Sequence, residues 1–301
     1  MKKILIFIIV LSMILSSCSF NNEQGGDKIS VIATSFVAYD FLREIGGDKI
    51  DLSLLVKPGV ELHSYEPSPK DIIAIHNSDL FVYIGGKSDY WVNTLLSSEN
   101  APKNTLAMTD CVTLLDSNPE HSHIHKDLDE HVWTSPKNSI LICQKIAEVL
   151  CRIDGDNSNF YTLNLKKYTN ELSILDNGFK NVVAEGKRDT IIFGDRFPIV
   201  YFTHEYGLNY HAAYPGCSAE AEPSASTIAF LIEKVKTERI PVVFHIELSN
   251  EDIADTIVSA TGAKKRLFYS CHNISAKDFD SGISYIDLMK KNLISLKEAL
   301  N

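Results

Sequence analysis

The sequence predicts an α/β fold: two lobes with mostly parallel sheets, joined by a long backbone helix. Three observations lead there. Short apolar strands alternate with capped amphipathic helices in both halves, the pattern of βαβ units. One apolar face is sustained over roughly 25 residues near the middle, enough for a helix of about 37 Å. The chain has 301 residues, 45% apolar and 23% charged, which suits about two packed domains rather than a disordered chain.

The first segment reads as an export signal over residues 1–17. Lys2 and Lys3 precede an apolar run from Ile4 to Leu15, too short to span a bilayer and suited to a signal peptide. The run ends Leu15-Ser16-Ser17-Cys18, which resembles a bacterial lipobox with Cys18 as the lipidated residue. Residues 18–27, polar and containing Gly25-Gly26, read as a flexible tether.

An N-terminal α/β lobe is expected over 28–157. Ile29–Thr34 is its first strand, followed by a helix over Val37–Ile45 that stops at Gly46-Gly47. Asp51–Val56 is a second strand. Ser68-Pro69 opens a capped helix with Asp71 at its third position. Strand Leu80–Ile84, helix Asp89–Leu96 and strand Asn104–Met108 follow, and Ser135-Pro136 opens a helix to Ile153. In residues 158–186, Tyr168, Leu172, Leu175, Phe179 and Val182 recur at helical steps and mark the linking helix. A C-terminal lobe over 187–301 resumes the alternation. Its strands are expected at Thr190–Phe193, Asn209–Ala212, Ile240–Ile246 and Arg266–Tyr269. A closing helix carries Ile286, Met289, Leu293, Leu296 and Leu300.

Charge and cysteines narrow the function. Lys plus Arg total 29 against 39 Asp plus Glu, a net charge of −10, which argues against a nucleic-acid partner. Export permits disulfides. Beyond Cys18 five cysteines remain, so at least one thiol is free. Cys143 and Cys151 share one helix about 12 Å apart, too far to bridge. Cys217 and Cys271 both follow C-terminal strands and form the expected disulfide.

The ten histidines are unevenly spread. His121, His123 and His125 alternate in an acidic inter-element segment, a composition that captures metal ions weakly. His63 and His131 each lie in a loop just before a capped helix, where open parallel sheets bind ligands. His245, His204, His211 and His76 read as structural.

The segments GVELHSYEPSPKDI and DEHVWTSPKN, around His63 and His131, resemble the metal-binding loops of the TroA/ZnuA-like solute-binding lipoproteins of zinc and manganese ABC transporters. The lipobox, the His-rich segment, the long helix and the closing amphipathic helix fit that resemblance, which covers essentially the whole mature chain. It implies a metal site in the interlobe cleft with His63 and His131 as N-lobe ligands. The C-lobe departs from the family pattern: Gly194, in Gly194-Asp195-Arg196-Phe197, stands where family members carry a ligand. His272 is the natural substitute for the family's last ligand, with Asp195 and Glu247 as lower-ranked oxygen donors. Three imidazoles favour Zn2+ over Mn2+, although Mn2+ stays possible.

The expected function is an extracytoplasmic, lipid-anchored monomer on the outer face of the cytoplasmic membrane, delivering zinc to an ABC permease, and not an enzyme. An exported zinc metallohydrolase on the same histidines and a metal-containing surface adhesin are the competing readings. Against catalysis, HExxH is absent, and Gly85-Gly86-Lys87-Ser88 is no phosphate loop because Phe81 stands where its first glycine belongs.

Overall fold

The computed structural model describes residues 28–99, 101–117, 128–214, 216–217 and 223–301. The expected signal peptide, Cys18, the tether and the His121, His123 and His125 segment lie outside the described residues.

Two four-stranded parallel sheets share one strand order. The first holds β1 (Ile29–Ala33), β2 (Ile50–Leu54), β3 (Leu80–Tyr83) and β4 (Thr105–Ala107), in the order β2-β1-β3-β4. The second holds β5 (Thr190–Phe193), β6 (Asn209–Ala212), β7 (Val242–His245) and β8 (Lys264–Leu267), in the order β6-β5-β7-β8. Their connections run through helices, as parallel pairing requires. In each sheet the order reverses beside the first strand, and the loops at the strands' carboxyl ends form the place where such folds bind ligands.

Helix boundaries follow the local chemistry of the caps. In α1 (Phe36–Gly46), the Ser35 hydroxyl accepts from the Ala38 N–H, and Gly47, at φ +52°, ends the helix. In α2 (Pro69–Asn77), Ser68 and Asp71 form a reciprocal capping box with Pro69 in the first turn. Helix α3 spans Tyr90–Leu96. In α4 (Pro136–Ile153) the Ser135 hydroxyl accepts from the Asn138 N–H. The linking helix α5 runs over Ser158–Ala184, 27 residues, or about 40 Å. In the C-terminal half follow α6 (Val200–Tyr206), α7 (Ala225–Glu238), α8 (Asp252–Thr261), the short α9 (Ala276–Asp280) and α10 (Tyr285–Leu300), the last with a Ser284–Asp287 capping box.

The expected linking-helix face is buried: Tyr168, Leu172, Leu175, Phe179 and Val182 all point inward. They join one continuous apolar core that includes Val31 and Val82 from the first sheet and Phe193 and Phe244 from the second. Asp40 of α1 ties this region together. Its carboxylate accepts from the Tyr285 N–H at 2.8 Å and from the Tyr168 hydroxyl at 3.4 Å, and pairs with Arg43. Elements from the start, middle and end of the chain meet at this one carboxylate.

The structure also departs from the expected pattern, and the short helix α9 was not anticipated. The last strand begins at Lys264 rather than Arg266; it is an edge strand, where lysines are at home but carry no apolar signal. Single helical turns at Leu62–Ser64, which contains His63, and at Val132–Thr134, which His131 immediately precedes, are too short to leave a periodic trace.

Candidate metal centre

His63, His131, Cys217 and His272 meet at the carboxyl ends of the two sheets. One donor atom from each lies within 4.8 Å of all the others. His63 sits in the turn after β2 and His131 just before the turn that leads into α4. Cys217 follows β6 and His272 follows β8. The rings are 6.1 Å apart for His63–His131, and 5.1 Å for both His63–His272 and His131–His272. The His63 Nε2 and Cys217 Sγ lie 2.9 Å apart.

Each imidazole is aimed by its surroundings. The His131 Nδ1–H donates to Asp129 Oδ1 at 3.1 Å, which makes Nε2 the nitrogen turned to the cluster. Asp129 is itself held, because the Tyr201 hydroxyl donates to its carbonyl at 2.8 Å. The His63 Nδ1 faces Glu130 at 3.6 Å, and the Ser88 N–H holds Glu130 Oε2 at 2.9 Å. Glu130 fits only because residue 86 is glycine: a Cβ there would lie 2.0 Å from its Oε2. Trp133 packs its ring 5.4 Å from His131 and 5.2 Å from His272, and its indole N–H donates to the Ser270 carbonyl at 2.8 Å. The next residues of the His272 loop are pinned across the cleft. The Asn273 amide donates to the Lys57 and Val60 carbonyls at 3.0 and 2.7 Å.

The electrostatics match a cation site. His131 and His272 are buried at 2% and 6% exposure, and the Nε2 atoms of both lack hydrogen-bond partners among the described residues. Buried polar atoms are rarely left so, and a metal ion would satisfy both. Burial disfavours charge on His63 and His131, yet the Cys217 sulfur and the facing carboxylates hold His63 above its usual value and His131 well above. Burial also opposes a Cys217 thiolate, but the His131 and His63 rings bring the thiol below its usual value. His272 goes the other way. Burial, joined by the charges of His131, His63 and Arg196, pushes it well below the imidazole range, so it stays neutral. A tetrahedral zinc with bonds of about 2.0–2.3 Å sets its donors roughly 3.3–3.7 Å apart. To hold it, the His63 Nε2–Cys217 Sγ pair must open from 2.9 Å, while the wider approaches, none beyond 4.8 Å, close in.

The other candidates are elsewhere. Asp195 accepts from the Arg196 N–H at 2.7 Å and the Ile246 N–H at 3.0 Å, one on each oxygen. Glu247 spends both oxygens on the Ser270 N–H and hydroxyl, each at 2.7 Å. Neither joins the cluster. The expected Cys217–Cys271 disulfide is absent, and both residues are free thiols. Cys271 is fully buried with its sulfur by the Tyr269 carbonyl, while Cys217 turns to His63. Sequence reasoning therefore missed Cys217 as a donor. The available signal was Gly194, an empty ligand position that called for a replacement. Its side-chain space is filled by α8: a Cβ would lie 2.5 Å from the Ala254 Cα.

Comparison with known proteins gives the family and the overall fold. The family model described as zinc-uptake complex component A, periplasmic (ZnuA), matches residues 31–299. The high-affinity zinc uptake system protein ZnuA of Bacillus subtilis is 32% identical over 309 residues, covering 98% of this chain and 94% of that protein. The zinc-binding lipoprotein AdcA of Streptococcus pneumoniae is 30% identical over 99% of this chain, which spans 61% of that longer protein. The crystal structure of the Zn(II)-bound ZnuA-like domain of that AdcA superposes with a TM-score of 0.78 at 29% identity, covering 91% of this chain and 99% of the domain.

Proposed function

Since this chain belongs to the periplasmic zinc-uptake component A family, we propose that it captures one zinc ion outside the cytoplasm and delivers it to an ABC permease. In this reading His63, His131, Cys217 and His272 hold the ion, and zinc is cargo rather than a resident cofactor. The observation that carries it is the convergence of four donor atoms within 4.8 Å, with the buried Nε2 atoms of His131 and His272 unsatisfied. The lobes run over 28–157 and 187–301 with α5 between them, and Cys18 anchors a monomer to the membrane through its lipid. The uptake and binding roles of the named relatives favour capture over the hydrolase and adhesin readings.

The test is a zinc titration of the mature chain against a competing chelator. One tight site is expected, abolished when His63→Ala and His131→Ala are combined. Tight binding that survives the double substitution, or turnover of ester and peptide substrates that depends on these histidines, would overturn the reading.

A further inference from the structure

We propose that Cys217 sets the specificity of the centre: a metal–thiolate site for thiophilic d10 cations (Zn2+, Cd2+ and Cu+) that excludes Mn2+. This rests on the capture reading above and adds to it which ions are captured.

The argument begins with what the cluster offers. Its donors are three imidazole nitrogens and one sulfur. Manganese, a harder ion, prefers carboxylate and carbonyl oxygen, whereas thiolate selects zinc, copper(I) and their soft relatives. The nearby carboxylates stand outside the donor cluster, although Glu130 Oε1 has no hydrogen-bond partner among the described residues. Asp195 and Glu247 each have both oxygens bound to N–H or O–H donors. Asp129 supports His131 from the Nδ1 side, and Glu130 faces the His63 Nδ1, so both stand behind the rings rather than beside the donor atoms. No carboxylate belongs to the donor cluster among the described residues.

The sulfur is placed, not incidental. The Phe197 N–H donates to the Gly216 carbonyl at 2.7 Å, and the Tyr214 N–H to the Asp195 carbonyl at 3.3 Å. The chain leading to Cys217 is thereby stitched to the segment after β5. Gly216 adopts φ +114°, open to glycine and strained for other residues, and this turn directs the next side chain at His63. Gly194 cannot contribute a donor because α8 fills its side-chain space. Cys217 is then the second donor from the C-terminal half, with His272, and it changes the chemistry from nitrogen and oxygen to nitrogen and sulfur.

Zinc-edge X-ray absorption on the wild-type, zinc-loaded protein reads the ligand set without any substitution. One sulfur at about 2.3 Å beside nitrogen scatterers at about 2.0 Å is expected; a shell of light atoms alone overturns the proposal. Cobalt(II) loading should give a near-ultraviolet sulfur-to-cobalt charge-transfer band, lost in Cys217→Ser. In competition, an excess of Mn2+ on the order of a hundredfold should leave bound Zn2+ in place. Cys217→Asp should lower the preference for Cd2+ over Mn2+ by at least about tenfold. Zinc bound tightly by the histidines with no sulfur signal, and an unchanged Cd2+ to Mn2+ ratio in Cys217→Asp, defeats the thiolate proposal and leaves capture standing. Absence of any tight zinc site defeats the capture reading itself.

Discussion

The indole N–H of Trp133 donates to the carbonyl oxygen of Ser270 across 2.8 Å, joining the loop after His131 to the loop before His272. The Tyr285 and Ser139 hydroxyls donate in turn to the Trp133 carbonyl, at 2.7 and 2.9 Å. Trp133→Phe keeps one aromatic ring but leaves a buried carbonyl unpaired, a loss of about 1–3 kcal/mol before any cost of the space left by the smaller side chain. Urea denaturation of the metal-free protein measures it. Zinc should also leave faster, because the His272 loop loses its tie; unchanged stability and release would refute the role.

Asp129 acts through His131. Removing a carboxylate that orients a metal-bound imidazole typically lowers affinity about 10–100-fold. Asp129→Ala should show that loss in a chelator competition while the fold, read by circular dichroism, is preserved. An unaltered affinity would mean that packing against Trp133 alone aims the ring.

Arg196 and Glu61 form an ion pair at 3.0 Å between the two halves, beside a small cavity that also includes Cys217 and His272. Partly exposed pairs contribute little stability, about 1 kcal/mol or less, so this one is expected to act on access. Glu61→Gln should speed zinc entry and release together by several-fold in stopped-flow measurements, with a smaller change in Kd. A change confined to Kd contradicts a latch.

Gly194→His puts a ligand side chain at the position where the resemblance implies one. The backbone of Ala254 already occupies the space, and overpacking costs about 1–3 kcal/mol or more. The variant should melt at a lower temperature and gain no zinc affinity. Tighter binding at wild-type stability would show that the lobe can reopen there.

Asp40 gives a pH signature away from the metal site. Burial pushes its carboxyl from 3.8 to about 7, outweighing the Arg43 charge that lowers it. The folded state therefore prefers the protonated acid. Its contribution is fully present below 3.8 and is lost as pH rises through about 7. Asp40→Asn is neutral throughout. The stability of wild type relative to this variant should fall by at most ~4 kcal/mol across that window, measured by urea unfolding of metal-free protein. Parallel pH profiles would count against the assignment.

Much of this was legible in the sequence. The βαβ alternation and the inward row from Tyr168 to Val182 rest on local periodicity, and Ser68 and Ser135 announce their helices by capping chemistry alone. His63 and His131 stood out through the family-like motifs around them, in loops before capped helices, and His272 as the substitute that the resemblance implied for the last ligand. Cys217 did not, since a cysteine in an exported chain reads first as half of a disulfide. Only the folded geometry separates Cys217, turned to His63, from Cys271, sunk in the core. The supporting pairs Glu130 with Gly86 and Trp133 with Ser270 depend on approaches between residues distant in sequence. No local pattern encodes such meetings.

The apolar interior that passes unbroken from Val31 and Val82 to Phe193 and Phe244 has a mechanical consequence. Prising the halves apart like a clamshell would wet that seam, a motion far too expensive to repeat with every delivery. Any movement that frees the ion is therefore expected at the rim of the cleft, with the apolar trunk beneath it kept shut.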